Sequence, residues 1–148
     1  MKKFKFNLEK LLTYKDQNLD SELMNLGVLY SQLHEAERKL HLLQHDRDEC
    51  TRDYESAIKC NSTVAMCRLY ADYADFLTKQ IKECEQKIGK ILVEIDEQID
   101  IVKKLKVETK SLEIIKESRY EVYKNKSIKK AELQIEEFVT TAGIIRKF

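Results

Sequence analysis

Taken at alternating steps of four and three, residues 8 to 57 fall on one line: Leu8, Leu12, Lys15, Leu19, Glu22, Leu26, Leu29, Leu33, Ala36, Leu40, Leu43, Arg47, Cys50, Tyr54 and Ala57. Twelve of these fifteen are apolar or nearly so. A helix with this seven-residue repeat carries a narrow apolar stripe, which is stable in water only against another stripe. The chain is therefore built to pair helices, and few other folds satisfy the pattern.

Composition narrows the choice further. Among 148 residues, 36% are charged, and there is no proline, no tryptophan and only three glycines. The punctuation of sheets and long loops is missing, while helix formers abound. One all-α domain with stripes in place of a wide core is expected over residues 1–148. No apolar run is long enough to span a membrane, and Met1-Lys2-Lys3-Phe4-Lys5-Phe6 lacks the apolar stretch of a signal peptide. A soluble, intracellular protein is the expectation. Cys50, Cys60, Cys67 and Cys84 have no paired spacing of a zinc or redox motif and read as free buried thiols.

Helix boundaries follow from capping chemistry. Asn7 reads as an N-cap, with Phe6 and Leu11 in the places of a hydrophobic staple. Helix one is expected over about 8–58, a turn over 59–63 through Lys59-Cys60-Asn61-Ser62-Thr63, and helix two over about 64–140. The second stripe runs Tyr70, Ala74, Leu77, Ile81, Cys84, Ile88, Ile91, Ile95, Gln98, Val102, Leu105, Thr109. So short a turn forces the helices antiparallel, and a fifty-residue helix is roughly 75 Å long. The predicted fold is all-α: an elongated two-helix antiparallel coiled-coil hairpin with an overhanging C-terminal helix segment.

Lys15, Glu22 and Arg47 interrupt the seam, and either snorkel to its edge or fix its register. Folding the hairpin about Asn61 places Leu8 near Ile115, leaving roughly the last thirty residues without a partner. The repeat is expected to slip near Leu112, where Ile114 and Ile115 break its phase. A fresh stripe then appears in Ile128, Ala131, Ile135, Phe138, Ala142 and Ile145. An unpaired amphipathic helix of this kind is most simply a binding element for another protein, although Thr140, Thr141 and Gly143 are expected to weaken its end. Charge is divided as well. Residues 1–10 hold four basic and one acidic side chain and residues 103–148 hold twelve and seven, whereas 11–102 hold eleven and eighteen. A basic end and an acidic body are predicted behind the net charge of +1.

Catalytic patterns are missing from the sequence: there is no phosphate loop or nucleophile elbow, and His34-Glu35 is followed at position 38 by Arg38. His41, His45 and Glu49 share a helix face that the repeat turns to water. Tyr70, Tyr73 and Phe76 form an aromatic cluster, but Asp72 and Asp75 beside them argue against nucleic acid. Tyr73 and Phe76 widen the apolar surface beyond what two helices need, either as a docking patch or simply as thicker packing near the turn.

The opening Phe4-Lys5-Phe6-Asn7-Leu8-Glu9-Lys10-Leu11-Leu12 resembles the start of FliJ proteins, the small coiled-coil component of the bacterial flagellar type III export apparatus. Arg68-Leu69-Tyr70-Ala71-Asp72-Tyr73 and Lys110-Ser111-Leu112-Glu113 agree in place and order, as do Arg119-Tyr120-Glu121 and Glu136-Glu137-Phe138. The resemblance implies a stalk without catalysis or cofactor. It would bind the hexameric export ATPase, contact the cytoplasmic domain of the export gate membrane protein, and escort export chaperones. It would work in the cytoplasm, peripheral at the inner face of the membrane at the flagellar base, without inserting into the bilayer or binding nucleic acid. The ATPase-facing end implied is Lys2 to Leu12 with Ile128 to Phe148, and the contacts implied are Lys2, Lys3, Phe4, Phe6, Leu8, Ile128, Ile135, Phe138 and Ile145. The implied gate contacts are Tyr73, Phe76, Gln80, Glu83 and Lys87. A generic coiled-coil adaptor or chaperone that clamps client proteins is the alternative reading.

Overall fold

The computed structural model describes residues 2–147. Met1 and Phe148, which the sequence reading placed at the two limits of the single domain and of the basic end, lie outside the described residues. Two helices, α1 (Glu9–Lys59) and α2 (Val64–Lys147), pack against each other as a helical hairpin. There is no strand among the described residues.

Local chemistry sets the helix ends. The Ser62 N–H donates to the Ala57 carbonyl (3.0 Å) and the Asn61 N–H to the Ile58 carbonyl (3.3 Å), the paired bonds of a Schellman motif. Asn61 takes the left-handed conformation this requires, at φ 54°, which asparagine tolerates better than most residues. Thr63 then caps α2: its carbonyl accepts from the Cys67 N–H, and its Oγ1 accepts from the Met66 N–H at 3.3 Å. At the other terminus the Glu9 N–H donates to the Phe6 carbonyl, and the first helical bond runs from the Leu12 N–H to the Leu8 carbonyl. Leu8 therefore occupies the cap position, and Asn7 lies in the turn ahead of it.

The chain divides into two compact units, residues 21–102 and residues 1–20 with 103–148. In the first unit, Leu33, Ala36, Ile91 and Ile95 form the core, and Leu26, Leu29, Ile88 and Ile99 pack around it. Burying each large side chain contributes roughly 1.5–3 kcal/mol, most of it offset by conformational entropy. The antiparallel register is fixed by cross-helix hydrogen bonds: Cys84 Sγ donates to the Ala36 carbonyl (3.3 Å) and Cys50 Sγ to the Tyr70 carbonyl (3.4 Å). Gln98 Nε2 donates to the Glu22 carbonyl (3.0 Å) and to the Glu22 carboxylate. Glu22 thus enters the seam as part of a bonded polar layer.

In the second unit, Leu12, Val102's successor layers at Leu105 and Thr109, and Leu19 continue the seam, buried or half-buried. Lys15 reaches Glu108 at 2.6 Å, so this polar seam position is also partnered. The Lys15 ammonium, through its hydrogen bond first and its charge second, holds the Glu108 carboxyl below the ordinary carboxylate range, against an opposing desolvation, and Lys104 adds to the lowering.

The covered face of α2 does not slip at Leu112. It continues in the same steps through Leu112, Lys116 and Tyr123, each half-buried, while Ile114 and Ile115 stay exposed. Polar side chains take over the seam because long stems with charged or hydroxyl tips cover apolar neighbours and keep the tips wet. All fifteen seam positions on α1, from Leu8 to Ala57, are buried or half-buried.

Candidate functional site

Residues 2–8 precede α1 as an arm laid along α2 within the second unit. Phe6 is buried, with the Arg119 guanidinium 5.5 Å from its ring centre. The Phe4 ring meets Tyr120 edge-on at 5.3 Å and Tyr123 at 5.5 Å. The Tyr123 hydroxyl donates to the Lys2 carbonyl at 2.7 Å, and Lys116 pairs with Glu9 at 2.8 Å. Partnering by this chain therefore extends at least to Tyr123, further than folding about Asn61 alone suggests. Of the implied ATPase contacts in the arm, Lys2 and Lys3 are exposed, Phe4 and Leu8 half-buried, and Phe6 is used internally.

Beyond Tyr123 the environment of α2 changes. From residue 124 to residue 146 every side chain is exposed except Ser127 and Ala142, which are half-buried. The helix nevertheless runs to Lys147, past Thr140, Thr141 and Gly143. Thr141 Oγ1 donates to the Glu137 carbonyl at 2.8 Å, folding its hydroxyl back onto the helix. Ile128, Ile135, Phe138 and Ile145 lie on one face, with Phe138 74% and Ile145 69% exposed. Leu133 and Val139 add apolar surface outside that line. Ile128 is twelve residues on from Lys116, which at about 100° per residue places this stripe a third of a turn around the helix from the seam. The unit that carries it holds seventeen basic and ten acidic residues, against ten and sixteen in residues 21–102.

The second set of implied contacts lies in the other unit. Tyr73, Phe76, Gln80, Glu83 and Lys87 follow steps of three and four, so they share one face of α2. Tyr73 and Phe76 stack with ring centres 6.5 Å apart, and both are about half exposed. Gln80, Glu83 and Lys87 edge a cleft of about 770 Å³ whose opposite wall includes Ser31, Glu35 and Lys39 of α1. Met66 and Leu69 extend the same face toward the turn and are exposed. Leu69 lies four and Met66 seven residues ahead of Tyr73, and this helical spacing is the sequence signal that links them to the patch.

His45 pairs with Glu49 at 3.4 Å and His34 with Glu37 at 3.8 Å, all exposed. Among the described residues, no three His, Cys, Asp or Glu side chains stand close enough to hold a metal ion. No described helix is long and apolar enough to cross a membrane.

The family described as Flagellar FliJ protein matches residues 4–146, from the aromatic arm through both helices to the exposed stripe. The chain belongs to the FliJ family. No curated protein and no solved structure matches it. Membership makes it a flagellar export-associated protein, from a family of structural or chaperone-like components that is not a known enzyme family. For this FliJ-family chain the relevant geometry is therefore that of surfaces, and two stand out: the stripe beyond Tyr123 and the aromatic face after the turn.

Proposed function

We propose that this chain is a non-catalytic stalk of flagellar export that binds the hexameric export ATPase with its basic unit and the cytoplasmic domain of the export gate with its aromatic face. The observation that carries this reading is the exposed stripe Ile128, Ile135, Phe138 and Ile145, which the chain leaves uncovered although its other repeat positions are used. Uncovered helical stripes of this length bind by laying large apolar anchors into a groove. Lys2 and Lys3 belong to the same unit and add to its positive field, and Leu8 adds half-buried apolar surface beside them. Phe4 and Phe6 support the ATPase contact from behind, by fixing the arm against α2.

The gate contact rests on Tyr73 and Phe76, with Gln80, Glu83 and Lys87 along the same face. Escort of export chaperones is the remaining part of the reading, and the cytoplasmic side of the membrane at the flagellar base is its site. A generic adaptor that clamps client proteins uses the same stripe without the ATPase.

Mixing the purified chain with the flagellar export ATPase, and following ring assembly and ATP hydrolysis, separates these readings. The stalk reading expects both to rise at micromolar chain, and expects Phe138→Asp or truncation after Lys126 to abolish the effect. Cutting there preserves the clasp at Tyr120 and Tyr123. An ATPase indifferent to the intact chain rejects the stalk.

A further inference from the structure

The exposed part of α2 carries two opposite blocks of charge. Lys124, Lys126, Lys129 and Lys130 come first, Glu132, Glu136 and Glu137 follow, and all seven are exposed. Lys126 with Lys130 and Glu132 with Glu136 stand four residues apart, so each block repels itself within the helix. A basic block followed by an acidic one has a simple complement, namely the same sequence running the other way. An antiparallel copy sets the acidic block of one chain against the basic block of the other.

The apolar stripe obeys the same symmetry. With Leu133 of two antiparallel copies level, Ile128 of one copy meets Phe138 of the other, Ala131 meets Ile135, and Ala142 meets the stem of Lys124. In that register Lys129 and Lys130 of one copy lie within one residue's rise of Glu136 and Glu137 of the other. A two-fold axis repeats every one of these contacts, as a closed dimer requires. A parallel copy sets lysine against lysine and glutamate against glutamate, so the charge order selects the antiparallel arrangement.

We propose that residues 121–145 form a homodimerisation segment, pairing with a second copy of this chain as an antiparallel two-stranded coiled coil. The segment is about three and a half heptads long, about 37 Å at 1.5 Å per residue, and the dimer is accordingly concentration-dependent. Because the charges stand behind the stripe, they act as a screened field, and added salt weakens the pairing. The second copy covers Ile128, Ile135 and Phe138, so it competes with every other occupant of that face.

Sedimentation equilibrium on the full chain alone, between about 1 and 200 µM, reads this directly. The mass is expected to double with concentration, and Phe138→Asp to keep the chain monomeric. Lys129→Glu with Lys130→Glu, and separately Glu136→Lys with Glu137→Lys, each weaken self-association by about tenfold. An equimolar mixture of the two double variants regains it as a heterodimer. Circular dichroism of each variant should stay helical, since these side chains are exposed. A chain monomeric throughout, a dimer that survives Phe138→Asp, or a mixture no tighter than either variant alone overturns the proposal. No ATPase is present, so the outcome is independent of the stalk reading.

Discussion

Thr109 sits in the seam at 4% exposure, and its Oγ1 is buried with no hydrogen-bond partner among the described residues. A buried hydroxyl left unpaired costs roughly 1–3 kcal/mol of desolvation. Valine has nearly the same shape, is equally β-branched and has a similar helix propensity, so Thr109→Val removes that cost without disturbing the backbone. The expected gain is about 1–3 kcal/mol, which for a chain of this size is a rise in midpoint of roughly 2–12 °C. Thermal unfolding followed by circular dichroism measures it. Thr78→Val is the matched control: Thr78 is exposed and its Oγ1 donates to the Ala74 carbonyl at 2.9 Å, so its substitution should stay within about ±0.5 kcal/mol. If Thr109→Val is neutral or destabilising, the Thr109 hydroxyl has a partner and the reasoning is wrong.

Two further outcomes follow from the same packing. Glu108 has a depressed folded-state pKa, so its contribution is present in full above the unfolded carboxylate value of about 4.3 and is lost as pH falls through the lower folded value. In Lys15→Met, an NMR titration should find the Glu108 pKa risen toward the ordinary range; an unchanged titration excludes Lys15 as the cause. Of the four thiols expected to be buried, Cys50 and Cys84 are, whereas Cys67 is half-buried and Cys60 is exposed because it lies in the turn, beyond the seam. Maleimide labelling of the native protein should therefore modify Cys60 at once and Cys50 and Cys84 only at the rate of opening, and equal rates for all three would contradict the packing.

The seam on both helices was legible because leucine and isoleucine recur at heptad spacing and a two-helix core needs nothing more. The turn was legible for a different reason: Asn61 and Thr63 carry the specific conformations and cap bonds that end one helix and start the next. The continuation of the seam past Leu112 was not legible. Lys116 and Tyr123 hold seam positions there, and a reading that counts only apolar residues sees a break at Ile114 and Ile115. The arm was equally hidden, since Phe6 read locally as a staple residue and Phe4 had no local partner, whereas their partners Arg119, Tyr120 and Tyr123 are more than a hundred positions away. The stripe from Ile128 to Ile145 was plain in the sequence. Its exposure became visible only in the fold, where Ile128, Ile135, Phe138 and Ile145 are all open to solvent.

Hydrogen exchange on the full chain, alone and with the export ATPase, resolves which surface is used. The account predicts that amides from about 124 to 145 exchange fastest among the helical residues of the free chain, because no packed face protects them, and slow markedly in the complex. Residues 80–100 should be unchanged. A complex that forms while residues 124–145 exchange as they do in the free chain would show that the exposed stripe is not the binding surface.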